Sequence, residues 1–261
     1  KTKMIVAVNL LGNPNDFDTI NKIIKNKNIF IFEDNCESLG AEYKGKKTGT
    51  FGDIGTFSTY YSHHISTMEG GFVTTDNEEL YHILLSLRAH GWTRNLPKKN
   101  FVANKSDDWF KESFRFVLPG YNVRPIEISG AIGVKQLEKT PYFLEKRREN
   151  AELFVKLFKD HPDYLIQKDI DRSSWFGFSL IIKQDSKLER KEIIDLLQKN
   201  KIECRPIVTG NFVRNEVMRY FDYEVYGELK NADYLHENGF FVGNSHKNLT
   251  KNINFLKEIL S

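Results

Sequence analysis

The chain has 261 residues, 40% hydrophobic and 28% charged, a globular composition that excludes disorder, collagen and coiled coil as its main form. Lys and Arg number 38 against 35 Asp and Glu, a formal net charge of +3 with the signs interspersed. No basic stripe points to nucleic acid, and no apolar run approaches the ~18 residues of a membrane span. The short basic clusters Lys44–Lys47 and Lys98–Lys99 read as solvated loops. Cys36 and Cys204 are too few for a disulfide scaffold, and a reducing cytoplasm is the expected compartment.

Lys3–Leu10 reads as a buried strand; its run Met4–Val8 has no small-residue cleavage site and is too short for a signal peptide. Asp16–Lys25 reads as a helix with Phe17, Ile20, Ile23 and Ile24 along one side. Asn28–Phe32 is a second buried strand that runs straight into Glu33 and Asp34. This strand–helix–strand order argues for a parallel sheet, whose binding crevice lies past the C-terminal strand ends. Asp34 stands at such an end. Strands follow at Asp53–Ser58 and Gly71–Thr75. Asp76 is the expected cap of a helix over Glu78–Ala89, which Gly91 stops. Gly91 to Gly120 reads as a long excursion. Ser129–Leu137 is apolar and helical, and Pro141 is expected to start a long amphipathic helix reaching Lys159.

The second half changes character. Strands are expected at Phe176–Lys183, Glu203–Val208 and Phe240–Val242, and helices at Arg190–Asn200, Glu228–Asn238 and Thr250–Leu260. This order suggests a smaller α+β domain. The domains are therefore drawn as 1–140 and 141–261.

Three segments carry polar residues of chemical interest: Phe32–Ala41 (F-E-D-N-C-E-S-L-G-A), Gly52–Gly71, and Gly120–Arg124 (G-Y-N-V-R). Each has a plain reading on its own. Asp34 could cap a turn. His63 and His64 could be two loop histidines, since neighbouring side chains in a strand face opposite ways and no third ligand stands at zinc-like spacing. Glu69-Gly70-Gly71 alone is a turn. Residue by residue, the chain is an α/β protein with an anion- or cofactor-binding crevice.

In this order and spacing the segments resemble the DegT/StrS-type sugar aminotransferases. That family shows a strand ending E-D-x-A-Q, then G-D-x-x-x-F-S-F, a lysine, G-E-G-G, and later G-x-N-x-R. The resemblance covers essentially the whole chain. It implies an α/β, aspartate aminotransferase-like fold (fold type I) whose large domain is incomplete at the N-terminus, plus a small α+β C-terminal domain. It also implies pyridoxal 5'-phosphate and its amine form, pyridoxamine 5'-phosphate, as cofactor. Asp34 would then pair with the pyridine nitrogen and keep it protonated, supporting the cofactor's electron-sink role. Glu37 replaces the family's usual glutamine near the ring hydroxyl. Ser58 would donate to the cofactor phosphate, and Asn122 would reach a phosphate across a homodimer interface.

One position departs from the family. Where its lysine bonds covalently to the cofactor, this chain has His63. Imidazole cannot make that bond, but it can move a proton near neutral pH. The stretch His63-His64-Ile65-Ser66-Thr67-Met68-Glu69-Gly70-Gly71 is similar to the H-H-x-[S/T]-T-x-E-G-G pattern of a subgroup, the 4-keto-6-deoxysugar 3-dehydratases. One branch of it acts on a CDP-sugar with an iron–sulfur cluster held by four cysteines. The first of these falls at Cys36; the other three fall at Arg94, Leu96 and Asn104, which are not ligands, so no metal is expected. The stretches Arg205–Arg214 and Asn231–Asn244 resemble the other, iron-free branch, which acts on a GDP-sugar.

That resemblance implies C3 dehydration of a GDP-linked 4-keto-6-deoxyhexose with glutamate as amino donor, in deoxysugar and O-antigen biosynthesis. His63 is the expected catalytic acid–base. His90, Arg94, Arg205 and Arg214 are candidate contacts to the nucleotide sugar, arginine being suited to bidentate phosphate binding. Each of these residues taken singly is as well read as structural. The family further carries, ahead of the position of Lys1, on the order of a hundred residues or more that hold a phosphate-binding turn and a ring-stacking aromatic. Two alternatives stand: a sugar aminotransferase, which His63 disfavours, and an inactive homologue acting as an interaction protein.

Overall fold

The computed structural model describes all 261 residues. The chain forms two compact units. The first comprises Lys1–Asn9, Asn15–Leu39 and Tyr43–Lys139; the second comprises Leu10–Pro14, Gly40–Glu42 and Thr140–Ser261.

The first unit is built on strand β1 (Met4–Val8), helix α1 (Phe17–Ile24) and strand β2 (Phe30–Asp34). The Asp16 side chain caps α1 by accepting from the Thr19 amide at 3.0 Å, satisfying one of the helix's orphan donors. Phe17 is fully buried and stacks on Phe51 at 4.2 Å. A short ribbon follows, β3 (Glu42–Tyr43) and β4 (Lys46–Lys47). Strands β5 (Ile54–Ser58) and β6 (Gly71–Thr74) complete a four-stranded sheet of order β1-β2-β5-β6. The first three strands are parallel, Val8 standing opposite Asp34 and Asp34 opposite Thr56; β6 runs antiparallel to β5. Met4, Val6 and Val8 are exposed along one side of the edge strand β1.

Helix α2 (Glu78–Leu87) is capped by Asn77, whose side chain accepts from the Leu80 amide, and not by Asp76 as expected from the sequence. Both are good capping residues; because the helix begins at Glu78, the cap position is Asn77. Gly91 lies past the helix end at φ +81°, and a Cβ there would stand 1.6 Å from the Leu118 carbonyl oxygen, so only glycine fits.

The excursion from Gly91 to Gly120 contains a single helical turn, α3 (Trp109–Glu112). Glu112 pins it. Its carboxylate accepts from the Ser106 amide at 2.8 Å, the Thr93 hydroxyl at 2.7 Å and Arg115 Nη1 at 2.8 Å. The Ser106 amide first, then Thr93 and Arg115, hold its pKa down from the ordinary 4.5 to about 2. A carboxyl held down in the folded state stabilises above its unfolded pKa and loses that contribution as pH falls through the folded one. Hydrogen exchange at the Ser106 amide is therefore expected to quicken as pH drops from 4.5 towards 2, beyond the intrinsic pH trend. Unchanged protection across that window would contradict this role.

Pro141 was expected to open a helix. It lies instead inside α4, which runs unbroken from Glu127 to Phe158. Proline removes the bond to the Leu137 carbonyl and normally breaks a helix. Burial of Ala151, Phe154 and Phe158 in the second unit's core anchors the stretch that follows it.

The second unit contains β7 (Tyr164–Ile166), β8 (Gly177–Ile182), α5 (Arg190–Lys199), β9 (Cys204–Arg205), α6 (Lys230–Asn238), β10 (Gly239–Gly243) and α7 (Thr250–Ile259). The sheet order is β7-β8-β10-β9, antiparallel throughout. Phe154, Phe158, Tyr164, Phe178, Leu180, Leu197 and Phe240 form its core. The strand expected over Glu203–Val208 is cut to two residues because Pro206 cannot donate to the ladder and Val208 adopts φ +45°.

Candidate active site

Strand β2 places the first candidate carboxylate, Asp34, at its carboxyl end. Successive side chains of a strand face opposite ways, so Ile31, Glu33 and Asn35 are buried on one face and Asp34 points to the other. The buried members fix the strand end. The Glu33 carboxylate accepts from three backbone amides, Gly49 at 2.6 Å, Phe51 at 2.5 Å and Gly52 at 2.7 Å. Asn35 accepts from the Asn9 side chain at 2.7 Å and from the Ser38 hydroxyl at 3.2 Å. On this base Asp34 stands at the carboxyl end of β2, half-buried, with one carboxylate oxygen taking the Cys36 amide at 3.0 Å.

Strand β5, the neighbour of β2, ends at Ser58, whose hydroxyl accepts from the Tyr60 amide at 3.2 Å. The loop from Thr59 to Gly70 follows, carrying His63. The His63 amide donates to the Tyr60 carbonyl at 3.0 Å, and its half-buried ring lies edge-on to the Tyr60 ring. His64 and Ile65 next to it are buried. No lysine occurs between Tyr60 and Gly70. Asp34 and Ser58 thus end adjacent strands, and His63 lies in the loop that continues the second.

This donor set fits pyridoxal phosphate held without a covalent bond: a carboxylate for a protonated ring nitrogen, a strand-end hydroxyl for a phosphate, and an imidazole in place of an amine.

Burial, then the charges of Asp34 and Glu37, push the Cys36 thiol up from 9.0 to about 12. At pH 8 its thiolate fraction is about 10³-fold below that of an unperturbed thiol. Cys36 is expected to react with iodoacetamide slower than free cysteine by that order; a rate within tenfold of free cysteine would show the thiol to be accessible and ionised. Glu37, beside it, is half-buried.

After α2, residues 88–90 run against 121–123. The His90 amide donates to the Tyr121 carbonyl, the Val123 amide to Arg88, and Ala89 bridges Asn122. His90 and Asn122 are both exposed, and Asn122 Oδ1 accepts from Arg124 Nε at 3.0 Å. The Arg94 guanidinium lies 3.8 Å over the Trp92 ring and donates to the Ser113 carbonyl. Arg205 and Arg214 belong to the second unit. Arg205 pairs with Glu203, and Arg214 pairs with Glu237 at 2.7 Å and Asp233 at 3.6 Å. A groove of 1290 Å³ beside β6, lined by Phe57, Phe72, Val73, Leu84 and Leu87 among others, contains none of Asp34, Ser58 or His63. It follows the free edge of the sheet.

Residues 1–253 match the model of the DegT/DnrJ/EryC1/StrS aminotransferase family. The chain belongs to this family. It is 60% identical over 261 residues to the GDP-4-keto-6-deoxy-D-mannose 3-dehydratase of Escherichia coli O55:H7, covering 99% of this chain and 67% of that protein. The enzyme of the same name from Yersinia pseudotuberculosis is 59% identical, covering 100% of this chain and 67% of that protein. A crystal structure of GDP-4-keto-6-deoxymannose-3-dehydratase with a trapped pyridoxal phosphate–glutamate geminal diamine superposes with a TM-score of 0.97 at 60% identity, covering 100% of this chain and 68% of that one. The fold of this DegT/DnrJ/EryC1/StrS member is the aspartate aminotransferase-like fold of pyridoxal phosphate enzymes, fold type I.

Glu33, Asn9 and Asn35 were not anticipated as supports of the site. A carboxylate inside the apolar run F-I-F-E-D was the available signal, since a buried charge demands partners. The Thr59 and Thr67 hydroxyls, which lie 2.6 Å apart across the base of the histidine loop, carry no such mark.

Proposed function

We propose that this chain carries out the C3 dehydration of GDP-4-keto-6-deoxy-D-mannose with pyridoxal phosphate as cofactor and glutamate as amino donor. The observation that carries the reading is His63 in the loop after β5, where the family's aminotransferases have lysine. When bound, the cofactor supplies an amine that condenses with the sugar's C4 ketone and an electron sink for the carbon beside it.

The chain's own residues do the rest. Asp34 pairs with the pyridine nitrogen and keeps it protonated, and Ser58 donates to the phosphate. Glu37 lies towards the ring hydroxyl. His63 removes a proton from the C4′ carbon and delivers one to the departing C3 hydroxyl. His90, Arg94, Arg205 and Arg214 contact the nucleotide sugar. No iron takes part, since Arg94, Leu96 and Asn104 replace three thiolates. The product is a 3-deoxy-4-keto sugar of the colitose type, destined for O-antigen, and glutamate leaves as 2-oxoglutarate. No helix is long and apolar enough to cross a membrane, and a cytoplasmic reaction agrees with a nucleotide sugar and glutamate as reactants.

The test is to supply GDP-4-keto-6-deoxy-D-mannose, pyridoxal phosphate and glutamate, with a chelator present. Release of ammonia and a 3-deoxy sugar in equal amounts supports the reading. A stable 4-amino sugar would instead identify an aminotransferase, and no turnover with no bound cofactor an interaction protein.

The working enzyme is a homodimer in which Asn122 reaches the partner's cofactor phosphate. Tyr121, Val123, Ile126 and Ile128 stand exposed around Asn122, an apolar surface of the kind that partners cover. Light scattering on active protein is expected to give twice the chain mass; a fully active monomer would refute the shared site.

A further inference from the structure

We infer that Thr59 and Thr67 form a clasp, with Gln136 as an outer tie, that positions His63. The inference rests on the reading of His63 as the proton carrier.

The loop from Thr59 to Gly70 joins the antiparallel strands β5 and β6, and a loop of this length is flexible unless its base is tied. Here the base is tied four times. The Thr59 amide donates to the Gly70 carbonyl at 3.0 Å and the Thr67 amide to the Thr59 carbonyl at 2.8 Å. The two hydroxyls lie 2.6 Å apart, and Thr67 Oγ1 lies 2.9 Å from the Glu69 carbonyl. One hydrogen per hydroxyl gives a consistent chain: Thr67 donates to Glu69, and Thr59 donates to Thr67. Both residues are buried, 5% and 6% exposed, where an unpaired hydroxyl is costly.

Two neighbours serve this contact. Gly70 sits at φ +136°, and a Cβ on it would stand 3.0 Å from each threonine hydroxyl. On α4, a Cβ at Gly133 would stand 3.3 Å from Thr67 Cγ2, so its absence lets the helix lie close to the clasp. One turn on, Gln136 Oε1 accepts from the Ser66 amide at 3.2 Å. The chain from Thr67 back to His63 is thus held at Thr67, at Ser66 and by the buried His64 and Ile65, while the Tyr60 carbonyl holds the His63 amide from the other side. Proton transfer tolerates little misplacement, and about 1 Å can cost 10²-fold in rate.

The experiment compares Thr67→Val, Thr67→Ser, Gln136→Leu and the double variant Thr59→Val/Thr67→Val. Thr67→Val keeps the shape but strands the Thr59 hydroxyl and the Glu69 carbonyl. The double variant removes both hydroxyls, so Tm should recover towards wild type. In the holoenzyme Thr67→Val is expected to lower kcat roughly 10–100-fold with KM for the nucleotide sugar little changed. Thr67→Ser should restore kcat, and the double variant should recover Tm without recovering kcat. If kcat instead follows Tm through the series, the clasp is structural only and the inference falls. Independently of turnover, amide exchange at Ser66 and Thr67 should quicken at least about tenfold in Thr67→Val, and at Ser66 in Gln136→Leu. Unchanged exchange overturns the clasp even where His63→Asn abolishes activity. Faster exchange with His63→Asn still fully active leaves a loop clasp but removes His63 as what it serves, so the positioning role falls with the proton-carrier reading.

Discussion

Replacing His63 by Asn is expected to leave cofactor binding intact and to lower C3 dehydration by roughly 10²–10⁴-fold, the contribution of a positioned acid–base group. Asparagine keeps a polar side chain of similar reach but cannot carry a proton near neutral pH. Asp34 and Ser58, which hold the ring nitrogen and phosphate in our reading, are untouched, so the cofactor's absorbance should remain. His63→Lys should behave differently. Lysine supplies the amine that the loop otherwise lacks, and a borohydride-reducible link to the cofactor should appear. Dehydration should still be largely lost, because an amine engaged with the cofactor is not free to shuttle a proton. The ordinary alternative is that His63 only packs against Tyr60. Either variant would then dehydrate within a few-fold of wild type, and the proposed proton transfer would have to be abandoned.

The largest effect on stability is expected at Glu33. It is fully buried, and its two oxygens accept from the amides of Gly49, Phe51 and Gly52. Alanine would remove the acceptor of three donors, a loss of about 3–5 kcal/mol and a fall in Tm on the order of 10 °C. Glutamine keeps one accepting oxygen but turns an amide group towards another amide, so a smaller loss of about 1–2 kcal/mol is expected. Differential scanning calorimetry on the three proteins would check the order wild type, Gln, Ala. A Glu33→Ala protein melting within about 2 °C of wild type would mean that the 49–52 loop finds other acceptors. Glu33 faces away from Asp34 on β2, so its loss is expected to act on stability first and on cofactor binding only through the strand.

Much of this protein is legible in one dimension because its signals are local. The apolar runs at Met4–Val8 and Phe30–Asp34, with a short amphipathic helix between them, are enough for parallel strands with a carboxylate at the end of the second. The spacing from Asp34 through Ser58 to His63 and on to Gly70-Gly71 is likewise a linear pattern, and the exchange of lysine for histidine within it is read directly. Family membership follows from the same pattern.

Tertiary structure decided whatever depends on groups distant in sequence. Glu33 and Asp34 are adjacent carboxylates, and only the fold shows what the first one does: the strand's pleat sends Glu33 to three amides 16 to 19 residues away and Asp34 to the opposite face. The order β1-β2-β5-β6 and the antiparallel return of β6 depend on which edges meet. The choice of Asn77 over Asp76 turned on where the helix begins, at Glu78. Pro141 lies within α4 because burial of Phe154 and Phe158 outweighs one lost hydrogen bond, and propensity has no term for that burial. The clasp between Thr59 and Thr67 forms only once the loop has closed. Threonine carries no sequence mark of whether its hydroxyl faces water or another hydroxyl, and the fold alone settles it.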